Sequence, residues 1–322
     1  MNRSAPRSID QYLRQLREEL AGADPALVQD ALYDAEEYLR AEVAAHPDKS
    51  ESDVLELIAS TYGAPDEVAG AYRDTEVKVK AAMATPRKVA KSAAGRFFGV
   101  FLDPRAYTSL FFMLLALPTG IIYFVLAVSG LSLSAGFLVL IIGVPFFLMF
   151  MAVCRVVSLA EGGLIEAMTG VRMPRRPVYQ GKALSFWARI GEMLKDRRTW
   201  TTIAYFILRL PIGILYFVIA VTGLAVSLSF IVLPIAAVLA RAGWFGMGAI
   251  EVFSTAQPEW VFDTGFGIPI LGVAGVLLLT SLMHLARGIG RLHAMFAKSM
   301  LVARTASGPT EAAESGAALA AH

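Results

Sequence analysis

Cysteine is almost missing from this chain. Cys154 is the single one in 322 residues, so neither an internal disulfide framework nor a multi-cysteine zinc or iron–sulfur site can form. Charged residues are scarce at 17%, against about 25% in an ordinary globular chain. Histidine is rarer still, and His284 and His293, nine residues apart, fall on opposite faces of a helix and cannot share a metal. Catalytic signatures are lacking too: there is no P-loop, no H-E-x-x-H, no kinase set and no G-x-S-x-G. No catalytic residue, metal ligand or cofactor is therefore expected, and the chain reads as a non-enzyme. A secretory leader is not expected either, because Arg3 and Arg7 are followed by an amphipathic pattern rather than an apolar core. What is abundant is apolar side chain, 56% of residues with a mean hydropathy of +0.57, against about 45–50% apolar in soluble domains. A purely soluble enzyme is excluded.

The few charges are unevenly placed. Residues 1–75 hold 16 acids and 7 bases, residues 76–105 hold 2 acids and 7 bases, and residues 106–322 hold 9 acids and 15 bases. An acidic head (1–75) thus precedes a basic linker (76–105), an apolar body (106–304) and a Ser/Gly/Ala/Glu tail (305–322) expected to be disordered. In the head, Ser8 caps a first helix carrying Tyr12, Leu13, Leu16 and Leu20, with Gln11 placed for a capping box. Asp24-Pro25 opens a second, and Ser50 and Asp53 open a third. Gly63 stops the third at a left-handed C-cap, and Pro65 starts a fourth at its first turn.

The leucine-rich first helix, the acidic Glu36-Glu37-Tyr38 and the closing Tyr62-Gly63-Ala64-Pro65-Asp66-Glu67-Val68-Ala69 resemble the bacterial HAAS signalling domain, over about residues 8–73. Tyr62 stands where that pattern has leucine, and Glu37-Tyr38-Leu39 lacks its histidine. The resemblance implies a cytoplasmic helical bundle that binds a protein partner. After it come Lys78, Lys80, Arg87, Lys88, Lys91, Arg96 and Arg105. Bases just before an apolar span hold the cytoplasmic side, so they are read as contacts to anionic lipid and not to nucleic acid.

The body contains a duplication. Residues 103–133 and 196–226 align without gaps at an offset of 93, with 15 of 31 positions identical, among them Pro118/Pro211, Gly120/Gly213 and Tyr123/Tyr216. Each copy opens with bases, which gives both one orientation and makes the repeat parallel, with its axis along the membrane normal. Copy one has 46 mostly apolar residues, 109–154, enough for a hairpin of two spans of about 20 residues each. Gly130, Ser132, Ser134 and Gly136 are expected to turn it. Copy two has spans near 201–221 and 265–285, separated by an awkward 224–264. With bases on both sides held in the cytoplasm, 224–264 is read as a re-entrant or interfacial segment broken at Pro234. The expected fold is all-α: a small helical bundle plus four spans, with five as the alternative. Residues 155–171 and a tail helix carrying Arg287, Arg291 and Lys298 on one face are read as amphipathic helices on the inner leaflet.

Asp103-Pro104-Arg105, Asp196 to Trp200, Leu210-Pro211, Tyr216-Phe217 and Arg291-Leu292-His293 carry a second resemblance, over about residues 98–305, to the sensor domain of bacterial membrane histidine kinases. No kinase core accompanies it. The resemblance implies a sensing role in the bacterial inner membrane, with both termini cytoplasmic.

Charges within the apolar body are the remaining clue, because such groups are costly and usually face a bundle interior. Arg209 lies about nine residues inside the third span, and its repeat mate is Ala116; Arg241 and Glu251 lie in the awkward segment. These three are candidates for holding an anionic lipid or metabolite, with Glu251, backbone carbonyls freed by Pro211 or a lipid phosphate as partners of Arg209. Three functions compete: a signalling or adaptor membrane protein whose head binds a cytoplasmic partner and whose body senses the bilayer or an amphiphile, a small transporter or lipid-binding protein, and a membrane lipid enzyme. The domain pairing favours the first, and the paired interfacial acids or histidines of the third are missing. A second copy of the chain is a further candidate partner.

Overall fold

In the computed structural model, residues 5–83, 92–137, 143–176, 191, 194–243 and 266–302 are described. The described elements are helical. Four form the head: α1 (Ile9–Glu19), α2 (Pro25–Ala45), α3 (Glu51–Ala59) and α4 (Pro65–Met83). A short helix α5 (Ala93–Phe98) and a 3-10 turn (Gly99–Leu102) lead into α6 (Pro104–Phe137), α7 (Gly143–Thr169), α8 (Arg197–Arg241) and α9 (Gly267–Leu301).

The head is built as its caps require. Ser8, Asp24 and Ser50 accept the Gln11, Ala26 and Asp53 N–H groups at 3.2, 2.9 and 3.3 Å, replacing partners that a helix N-terminus lacks. The Gln11 side chain accepts from Arg7 N–H, one residue short of a reciprocal capping box. Leu16, Leu20, Ala31, Leu39 and Val54 are fully enclosed in one core. Gly63 has φ +105°, a conformation L side chains rarely adopt, and its carbonyl accepts the Tyr12 hydroxyl at 2.9 Å. Burial, helped by nearby Tyr62, Glu67 and Asp66, raises the Tyr12 phenol above its ordinary value and keeps it a neutral donor. α4 continues through Met83, so the head's last helix runs past residue 75.

α6, α7, α8 and α9 are each long and apolar enough to cross a membrane. At about 1.5 Å per residue the 45 residues of α8 span roughly 67 Å, more than twice an apolar core of about 30 Å, so the helices tilt or project beyond it. Ile122, Val125, Val218, Val232 and Val273 stay exposed on the outside, as a lipid-covered surface requires.

Four local expectations are corrected. Gly130, Ser132, Ser134 and Gly136 lie inside α6, not in a turn, and Gly130 is a seat for the Phe150 ring of α7. Residues 224–241 are not a separate segment broken at Pro234: they continue α8 without interruption, and the rest of 224–264 beyond residue 243 lies outside the described residues. Residues 155–169 and 287–301 are the second halves of α7 and α9, not separate surface helices. Among their charges, Glu161 packs inside the bundle and Lys298 against the head while Arg155 and Arg291 are exposed, and a sequence pattern cannot separate the first two from a leaflet-facing stripe.

α6 and α8 meet backbone to backbone. A Cβ on Gly120 would sit 2.8 Å from the Arg209 carbonyl oxygen, and one on Gly213 would overlap the Ala116 carbonyl. α6 pairs with α7 and α8 with α9. The Thr108 hydroxyl of α6 donates to the Met168 carbonyl of α7 at 2.7 Å, and Thr201 of α8 donates to Met300 of α9 at 2.8 Å. Tyr107 and Trp200 likewise donate to the carbonyls of Phe101 and Leu194, at 3.0 and 2.8 Å.

Candidate functional site: a closed charge cluster and its connection to the head

Arg209 is fully buried at the α6–α8 crossing. An isolated guanidinium there would be costly, so its surroundings must answer it. Its partner is Glu161 of α7, also fully buried, with Nε 3.2 Å from Oε1. Nη2 donates to the Thr119 hydroxyl at 3.3 Å, and the guanidinium carbon lies 4.8 Å from the centre of the Phe112 ring.

Glu161 is the hub. Oε2 accepts the Tyr123 hydroxyl and Oε1 accepts the Tyr205 hydroxyl, each at 2.8 Å. Tyr205 Oη also lies 3.0 Å from His293 Nε2 of α9. A tyrosine has one proton, and a carboxylate paired with arginine only accepts. Tyr205 therefore donates to Glu161, and His293 Nε2–H donates to Tyr205. His293 Nδ1 is left without a partner, as are Arg209 Nε and Nη1 by hydrogen-bond geometry. The His293 ring is walled by Phe112, Tyr216 and Phe296, at centroid distances of 5.1, 5.6 and 6.1 Å. Each of the four long helices contributes, and the Arg209–Glu161, Arg209–Thr119 and Tyr205–Glu161 contacts all join the α6–α7 hairpin to the α8–α9 hairpin.

Both hairpins end at the head. Just past α7, the Arg172 guanidinium pairs with Asp30 at 2.8 Å and with Glu76 at 3.3 Å. Arg176 Nε lies 2.8 Å from Asp34, and Arg175 Nη2 pairs back to Glu166 of α7 at 2.7 Å. In the last turn of α9, Lys298 Nζ reaches Asp24, the N-cap of α2, at 2.6 Å. Burial lifts the Asp30 carboxyl above its ordinary value, while the backbone N–H groups of Arg176 and Arg175 and the Arg172 guanidinium pull it down.

The structure sorts the expected residues. Arg209 belongs to the site, and its ion-pair partner among the described residues is Glu161; Glu251, the expected partner, lies outside the described residues, as does the Arg241 side chain. Arg287 pairs with Asp103 at 2.8 Å and Lys298 with Asp24, so these two, expected at the membrane surface, are engaged within the protein; Arg291 is exposed. Sequence reasoning missed Glu161, Tyr123, Tyr205 and Thr119. The signal for Glu161 was available: a buried arginine demands an anion, and Glu161 and Glu166 are the acids of the apolar stretch 143–169. Among the described residues no cluster of His, Cys, Asp and Glu has the makings of a metal site.

Four apolar membrane-length helices closed around a charge cluster, with a helical head on their ends, define a multi-pass membrane protein. A family model described as "Putative sensor" matches residues 112–301, a stretch that holds every residue of the cluster. The chain belongs to this Sensor family. The head lies outside the matched region. Neither the curated proteins nor the solved structures include a match to the chain.

Proposed function

We propose that this protein is a non-enzymatic signalling sensor or adaptor of the bacterial inner membrane, with the head and both termini in the cytoplasm. In this reading the body responds to the state of the bilayer or to an anionic amphiphile and passes that state to the head. The single observation that carries it is the placement of the Arg209–Glu161–Tyr205–His293 cluster. Glu161 lies on α7 and His293 on α9, the two helices whose ends hold the head through Arg172 and Lys298. Any shift of one hairpin against the other must strain these bonds and move both anchors together.

The equivalent Thr108–Met168 and Thr201–Met300 bonds support two hairpins derived by duplication. Glu161 and His293 lie seven residues before those methionines, so they occupy matching places on α7 and α9. Ala116 and Arg209 match likewise on α6 and α8. The duplicated frame then carries a different ionisable group on each side, which gives the centre a direction. The head's likeness to HAAS domains and the basic run from Lys78 to Arg105 support the cytoplasmic placement.

The test is hydrogen exchange of the head in bilayer nanodiscs, comparing wild type with Arg209→Met. Faster exchange across α2 and the 171–176 segment is expected, although Arg209 pairs with Glu161 within the body. Unchanged head protection in a variant whose bundle has loosened would overturn the coupling.

A further inference from the structure

The segment leaving α7 lies on the head as a bound peptide would. Residues 171–176 are neither helix nor strand, and Pro174 fixes its own φ and biases Met173 towards an extended backbone. Asp30 of α2 grips the segment from both carboxylate oxygens. Oδ1 accepts the backbone N–H groups of Arg175 and Arg176, each at 2.8 Å, and Oδ2 accepts Arg172 Nη2 at 2.8 Å. Gln29 Nε2 donates to the Arg176 carbonyl at 2.6 Å. Arg176 pairs with Asp34 and lies 5.9 Å over the Tyr33 ring, and Arg172 pairs also with Glu76.

Three of these bonds go to main-chain groups that any peptide carries, and the rest go to two guanidinium groups four residues apart. Asp30 is 7% exposed and is seated among donors on every side that the segment presents. We propose that this face of α2 is a recognition site for an extended peptide of the form Arg-x-x-x-Arg, which residues 172–176 occupy in cis, and that the head's partner is a protein presenting such a segment and displacing them. The face is acidic, so it repels phosphate-bearing ligands and selects a basic chain. The planar guanidinium fork suits the paired carboxylates better than a lysine ammonium does. Lys298–Asp24 is a separate clamp that keeps the head on α9 while the segment is exchanged. This deepens the signalling reading by naming the partner's chemistry: a shift of α7 moves Arg172, three residues past its end, and so opens the site.

Because the cis segment is tethered, it competes at an effective concentration on the order of millimolar, and a free peptide must be tested against a weakened one. The full chain in phosphatidylcholine nanodiscs is titrated with a fluorescent peptide of residues 170–178 and read by anisotropy. Arg176→Ala, whose side chain is half exposed, should bind the peptide at least tenfold more tightly than wild type does, and Arg172→Ala/Arg176→Ala more tightly again. Adding Asp30→Asn should weaken peptide binding at least tenfold, and a peptide with lysine at both arginine positions should bind less well. No peptide uptake by either arginine variant, or uptake indifferent to Asp30→Asn, would overturn the proposal. The titration needs no membrane signal and leaves Arg209 untouched, so it fails or succeeds independently of the sensing mechanism.

Discussion

The charge cluster makes a quantitative prediction about which partner matters more. Removing Arg209 (Arg209→Met) leaves both Glu161 oxygens still satisfied, each by a tyrosine donor at 2.8 Å. Removing the charge of Glu161 (Glu161→Gln) leaves a guanidinium that stays ionised, with Thr119 at 3.3 Å and the Phe112 ring as its remaining partners in the cluster. Breaking a buried pair from one side costs about 3–5 kcal/mol, because it strands an uncompensated charge. Glu161→Gln should approach that range and Arg209→Met should fall below it. The double variant Arg209→Met/Glu161→Gln strands nothing, and it should recover at least about 1 kcal/mol relative to the sum of the singles. Reversible unfolding in mixed micelles by rising SDS fraction gives all three values. If Arg209→Met is the more harmful single change, or the two add within about 0.5 kcal/mol, the pair is not the lock described here.

Gly213→Ala should lower the thermal midpoint clearly, at a cost of about 1–3 kcal/mol, because the methyl overlaps the Ala116 carbonyl; Gly272→Ala, with Pro234 at 3.8 Å as nearest neighbour, should be nearly neutral. Gly63→Val forces a β-branched residue to φ +105° and should cost roughly 1–2 kcal/mol or more, seen as faster exchange of α3 and α4 amides with α6–α9 unaffected. Reporter fusions after Arg176 and after Arg304 should both read as cytoplasmic; a periplasmic signal at the second would favour five crossings.

Local chemistry was legible in the sequence wherever one residue type answers one local need. Ser8, Asp24 and Ser50 cap their helices as read, and Gly63 takes the positive φ that its place before Ala64-Pro65 suggested. Hydropathy alone announced a membrane body, since runs that long and apolar have no soluble solution. Pro234 misled where it was taken as a break: α8 passes through it as it passes through Pro211, because a membrane helix can continue when neighbouring groups and helices compensate the lost bond.

Pairing was decided by tertiary structure. The sequence singled out Arg209 as a charge in need of a partner, but its distance of 48 residues from Glu161 has no periodicity that a one-dimensional reading detects. Glu161 sat in a stretch whose pattern fitted a surface helix equally well, and only the continuation of α7 carried it inside. The same holds for Lys298 and Arg172. As bases flanking apolar spans they suit a leaflet, and only the folded head brings Asp24 and Asp30 to them. A charge's depth follows from its own helix, but its counter-charge follows from how helices remote in sequence cross, and that is fixed by backbone contacts such as Gly120 on Arg209 and Gly213 on Ala116.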